Sequence, residues 1–152
     1  MSSQIEMFNF IVVKGHQVAS GKAGDARFPD GTIKAQVDKF KALGLSIEAF
    51  YPATINAKFF VKCITLNQHD YLFKQVKWHT DMPAENFKFL RCFILKGSNE
   101  IPAFIYQPQI ETKTEHFQPA NQLELLAPYI EDIHYGELLT LKVKKHAIIL
   151  SK

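Results

Sequence analysis

Short runs of β-branched and aromatic residues, separated by turn-forming residues, recur along the chain, and one stretch alone has helical spacing. Residues 5–13, Ile-Glu-Met-Phe-Asn-Phe-Ile-Val-Val, alternate in part and end at Lys14-Gly15, which predicts a strand leaving through a turn. A second short strand is expected over 17–20. Residues 21–31 then hold three glycines and one proline, a composition that interrupts regular structure and predicts an exposed loop. From 33 to 43 the period changes. Ile33, Val37, Phe40 and Leu43 share one helical face, while Lys34, Asp38, Lys39 and Lys41 lie off it. Thr32 can cap that helix, and Gly44 can end it in a left-handed conformation.

Beyond the helix, runs at 55–66, 71–78, 87–95, 101–107, 138–144 and 146–150 read as strands, and Gly97-Ser98-Asn99 predicts a hairpin loop. Many short strands with a single helix favour a closed or nearly closed barrel, because closure removes exposed edges. No repeat, low-complexity tract or linker divides the chain. Residues 1–152 are therefore expected to form one domain, mainly β with one main helix.

Composition changes this picture little, and charge narrows the partners. With 152 residues, 47% of them hydrophobic, and thirteen Phe, the chain can bury a core without disulfides or structural metal. The net charge of +3 is uneven: residues 1–75 carry nine basic and six acidic side chains, the remainder nine of each. Such a surplus suits a local anion such as a phosphate better than a polyanion, and no basic aromatic strip for nucleic acid is present. Residues 1–6 lack the pattern of a secretory signal, and no run approaches membrane-spanning length, so a cytoplasmic protein without membrane association is expected. Cys63 and Cys92 sit among apolar neighbours and read as reduced core thiols.

Three places carry candidate chemistry. In the run Gly21-Lys22-Ala23-Gly24-Asp25-Ala26-Arg27, small residues let backbone amides approach an anion, and Lys22 and Arg27 can neutralise it. The run is either a phosphate cradle or a plain surface loop, since it matches neither the P-loop nor the dinucleotide glycine pattern. Thr54 and Asn56, two residues apart at the start of a strand, point to one face with two neutral oxygens. They are either ligands for Mg²⁺ or a polar strand end bonded to local backbone. Glu124 stands alone in Leu123-Glu124-Leu125-Leu126, turned outward in an alternating strand or held for a specific donor. The six histidines are scattered; His79 and Asp81 are close in sequence, and His116 lies in a polar stretch, with no metal-site spacing among them.

Taken in order, these features resemble the archaeal CTP-dependent riboflavin kinases. The resemblance covers most of the chain. It runs through Val18-Ala19-Ser20-Gly21 and the loop after it, the helix to Gly44, and Phe50-Tyr51-Pro52-Ala53-Thr54-Ile55-Asn56. It continues through Phe89-Leu90-Arg91-Cys92-Phe93, Thr114-Glu115-His116-Phe117 and Leu123-Glu124-Leu125-Leu126-Ala127-Pro128 to the final strand from Leu138.

The resemblance implies a small closed six-stranded cradle-loop barrel that transfers a nucleotide phosphate, drawn from CTP in that family, to riboflavin. It places Mg²⁺ on Thr54 and Asn56, the flavin on Thr114 and Glu124, and the nucleotide on residues 21–27 and on the stretch from Tyr129. Where the family has a Gly-x-Gly pair in the loop, Ala23 and Asp25 stand in this chain. That departure favours an alternative, a non-catalytic barrel that binds a nucleotide or another flat small molecule.

Overall fold

The computed structural model describes residues 4–13, 32–51, 53–78, 84–108 and 120–151. Within them the chain forms β1 (Ile5–Val13), α1 (Thr32–Ala42), β2 (Ile55–Phe59), β3 (Cys63–Leu66), β4 (Tyr71–Val76) and β5 (Glu85–Lys96). After these come β6 (Asn99–Pro108), β7 (Gln122–Leu126), β8 (Leu138–Lys144) and β9 (Ile148–Ser151). The sheet runs β4-β5-β6-β7-β2-β1-β8, and β8 pairs back onto β5. Six strands, β5-β6-β7-β2-β1-β8, thus close an antiparallel ring, the mainly β barrel that the pattern predicts. β3 and β9 form a separate two-stranded ribbon.

The ring closes because β5 is long enough to serve three partners. Its residues 87–96 pair with β6 along one edge. On its other edge, Phe87 and Phe89 face β4, whereas Phe93 to Leu95 face β8. Two cores follow from this division. Inside the ring lie Phe10, Phe59, Leu90, Ile94, Ile105, Leu125 and Leu141, all 0–2% exposed. On the outer face of β4, β5 and β6 a second core gathers Phe87, Phe89, Phe104 and Tyr106 under Phe40 of α1 and under Leu45 and Ile47. Strands shared by both cores are buried on both faces, so Ala103-Phe104-Ile105-Tyr106 reads as a continuous apolar run rather than an alternation.

The helix ends as its sequence predicts. Gly44 has φ 103°, its N–H bonds the Lys41 carbonyl at 3.1 Å, and the Leu45 N–H reaches the Phe40 carbonyl at 2.9 Å. These two bonds make a Schellman motif, which turns the chain so that Leu45 enters the second core. The predicted apolar face is displaced. Leu43 lies past the last helical residue and is 50% exposed, whereas Gln36 is buried. The hairpin at Gly97 has two loop residues, with Gly97 at φ 59° as a type II′ turn requires.

Two strand expectations need correction or fall elsewhere, and one strand lies outside the expected runs. The run 55–66 is two strands in different sheets. Ala57 and Phe59 point inward, and so do Ile64 and Leu66; from Phe59 to Ile64 is a step of five, an odd step that one continuous strand cannot accommodate. β7 is a strand the pattern missed, because Gln122-Leu123-Glu124-Leu125-Leu126 has no β-branched residue and owes its state to the strands on either side. The strand expected over 17–20 lies outside the described residues. Among the described residues, no helix is long and apolar enough to cross a membrane.

Phe40 is the hinge of the second core, meeting the Phe87 and Phe89 rings edge-on at 5.0 and 5.1 Å between centroids. Phe40→Ala is expected to cost about 3–5 kcal/mol of unfolding free energy. Guanidinium unfolding followed by emission of the sole tryptophan, Trp78, measures it; a loss below about 1 kcal/mol would show that α1 is not anchored through this ring.

Candidate functional site

Strand register gathers the polar side chains that the sequence singles out. Val13 of β1 faces Asn56 of β2, Asn56 faces Glu124 of β7, and Glu124 faces Tyr106 of β6. Directly opposed residues share a face, so these four form one row across the barrel wall, on its outer side. Thr54 immediately precedes β2 and points to the same face as Asn56. Its hydroxyl donates to Glu124 Oε1 at 3.0 Å. All three side chains, Thr54, Asn56 and Glu124, are half-buried.

Glu124 is turned outward from the ring, as strand alternation predicts for a residue between the inward Leu123 and Leu125. It nonetheless accepts a specific hydrogen bond. Two expectations that stood apart in the sequence, a Thr/Asn pair for a metal and a lone Glu for an organic ligand, therefore meet at one cluster.

The donor set suits a hard cation. Hydroxyl, amide carbonyl and carboxylate oxygens are the ligand types Mg²⁺ accepts, and Mg²⁺ needs only one or two protein groups because it keeps several waters. Thr54 gives its proton to Glu124, which leaves its oxygen lone pairs for a cation. Among the described residues, no three or more His, Cys, Asp or Glu side chains cluster to hold a metal ion. Glu124 is the carboxylate that the row brings to Thr54 and Asn56.

Beside this cluster two tyrosines stand in solvent. Tyr51 is 47% and Tyr129 68% exposed, with ring centroids 5.4 Å apart and planes inclined by 56°. The Tyr51 N–H donates to the Ala127 carbonyl at 2.9 Å, which ties the stretch before Thr54 to the end of β7. Sequence reasoning reached Tyr129 and missed Tyr51, although Tyr51 lies in the same run as Thr54. Tyr106 and Gln36 were missed too, each hidden in an apolar or helical pattern. Residues 21–27, with Gly21, Lys22, Ala23, Gly24, Asp25, Ala26 and Arg27, lie outside the described residues, as do Thr114, His79, Asp81 and His116.

The stretch that carries Tyr129 is pinned to the barrel. Gly136 N–H bonds the Val12 carbonyl at 2.6 Å, and Val12 N–H returns to the Glu137 carbonyl at 2.9 Å. Lys96, at the end of β5, pairs with the Glu137 carboxylate and donates to the Asp132 carbonyl at 3.1 Å. The other Glu137 oxygen accepts the His134 N–H at 3.0 Å.

Lys96, and after it the His134 amide, hold the Glu137 carboxyl below its ordinary value of 4.5. A depressed carboxyl pKa stabilises the fold above the unfolded value and loses that contribution as pH falls through the folded one. Lys96→Met is therefore expected to lower stability by about 0.5–1 kcal/mol at pH 7 and by progressively less as pH drops below 4.5. Urea unfolding of both proteins across that range checks it; a penalty independent of pH would assign the effect to packing of the lysine stem.

Among known proteins, no family model matches the chain and no curated protein does.

Proposed function

We propose that the chain is a riboflavin kinase-like phosphotransferase, which moves a nucleotide phosphate, from CTP by resemblance, to the 5′-hydroxyl of riboflavin to give FMN. One observation carries the reading: Thr54, Asn56 and Glu124 converge on one barrel face. The family resemblance assigns the first two to a metal and the third to the flavin. Donor phosphate and acceptor hydroxyl must meet in line for transfer, so their binding groups must be neighbours.

Thr54 and Asn56 would hold Mg²⁺, which neutralises charge on the phosphates when bound. The β1 strand ends at Val13, the register partner of Asn56, and residues 21–27 follow it in the sequence. In the proposed reaction those residues cradle the phosphates, with Lys22 and Arg27 offsetting the charge that develops. Glu124 and Thr114 orient the flavin, and Tyr129 meets the nucleoside. A loose phosphoryl-transfer transition state asks for alignment and charge stabilisation rather than a strong general base.

Asp25 favours a second reading, a non-catalytic barrel that binds a nucleotide or another flat small molecule. A carboxylate in the loop would repel the phosphates that a catalytic cradle must hold close.

A thermal-shift panel separates the two. CTP, ATP, GTP, riboflavin and FMN are each tested with and without Mg²⁺, alongside an assay for FMN formation. Saturation at about 100 times Kd stabilises by about 2.7 kcal/mol, a shift of several degrees for a domain of this size. The kinase reading expects shifts from riboflavin and from Mg²⁺ with CTP, together with FMN product. Asn56→Ala is expected to abolish the Mg²⁺-dependent nucleotide shift while leaving the unliganded midpoint within a few degrees. Shifts without product support the binding module; no shift from any nucleotide or flavin overturns the kinase reading.

A further inference from the structure

The second core holds a polar thread that neither packing nor the residues already assigned account for. Gln36 occupies the position one turn before Phe40 on the buried face of α1, where an apolar side chain would pack without a partner to satisfy. It is 2% exposed, and Tyr106 is 3% exposed. The Tyr106 hydroxyl donates to Gln36 Oε1 at 2.7 Å across 70 residues of sequence.

Replacing both members of such a buried pair by apolar groups is commonly neutral or stabilising, so stability is a poor reason for the pair to exist. What it does supply is a fixed orientation for the Tyr106 ring. That ring stands directly opposite Glu124, on the side away from Asn56. Burial, then the charges of Glu124 and Glu85, push the Tyr106 phenol well above its ordinary value of 10.0, so it remains a donor at any physiological pH.

We infer that Gln36 and Tyr106 are positioning residues for the Thr54, Asn56 and Glu124 cluster. Gln36 holds the Tyr106 ring, and the ring walls Glu124 so that its carboxylate lies toward Thr54. Riboflavin binding then depends on α1, which carries none of the residues assigned to the ligand. The role rests on the proposed reading of the cluster as a ligand site.

The test compares the full chain with Tyr106→Phe, Gln36→Leu and the double variant. Each single change leaves one buried polar group without its partner and lowers Tm. The double variant is expected to recover Tm to near the wild-type value. Its Kd for riboflavin, titrated by flavin fluorescence with Mg²⁺ and without a phosphate donor, nevertheless rises on the order of tenfold because Glu124 is no longer confined. Side-chain NMR gives a readout free of ligand: the Thr54 methyl and Asn56 amide resonances move or broaden in the double variant.

If the double variant matches wild type in Tm, Kd and these resonances alike, the pair is structural and the inference is overturned. If wild type binds no riboflavin, the kinase-like reading falls, and the resonances alone decide the positioning role. Unmoved lines then overturn it, and moved lines uphold it.

Discussion

The pairing of Phe93 to Leu95 on β5 with Thr140 to Lys142 on β8 is the constraint on which the rest of the molecule depends. Without it the seven strands would be an open sheet with β8 at an exposed edge. With it, six strands enclose the first core, and the inward set from Phe10 to Leu141 leaves water. Because β8 takes only the second half of that edge, the first half remains for β4. The sheet therefore extends past the ring, and the outer face of that extension is what α1 covers.

That covering layer is made largely of aromatic rings. Phe40 meets Phe87 and Phe89, Phe50 packs on Phe104 at 5.6 Å, and Phe104 meets Phe89 and Tyr71. Edge-on and tilted contacts fix relative orientation more tightly than aliphatic packing does, because the ring quadrupole prefers particular geometries. The glycine at 44 completes the arrangement. Its left-handed conformation reverses the chain within two residues, so the same short segment supplies both the helix that lies on the sheet and the Leu45 that plugs it.

The candidate site is a by-product of register. Thr54, Asn56 and Glu124 come from two segments about seventy residues apart, and no local interaction could hold them together. Pairing of Ala57 with Leu123 and of Ile55 with Leu125 places Asn56 opposite Glu124, since both partners of those pairs turn into the core. A slip of one residue would send Glu124 inward among leucines, at the cost of burying a carboxylate, so the hydrophobic core enforces the polar cluster's alignment. Polar function on the outside is thereby specified by apolar packing on the inside.

The sequence by itself determined the local elements: the β1 strand, the one helix with its glycine stop, the Gly97 hairpin, and the same-face relation of Thr54 and Asn56. Each of these follows from side-chain period or from the dihedral freedom of a single residue, which act over a few positions. The break at 60–62, the strand at β7, the burial of Gln36 and the exposed pairing of Tyr51 with Tyr129 were decided by tertiary structure. In β7 the propensities are weak and the neighbouring strands prevail; at Gln36 a hydroxyl from β6 satisfies an amide whose polarity alone would leave it outside. Sequence pattern shows which residues want burial or bonding. Only closure of the ring determines which partner each one meets, because that partner is supplied from far along the chain.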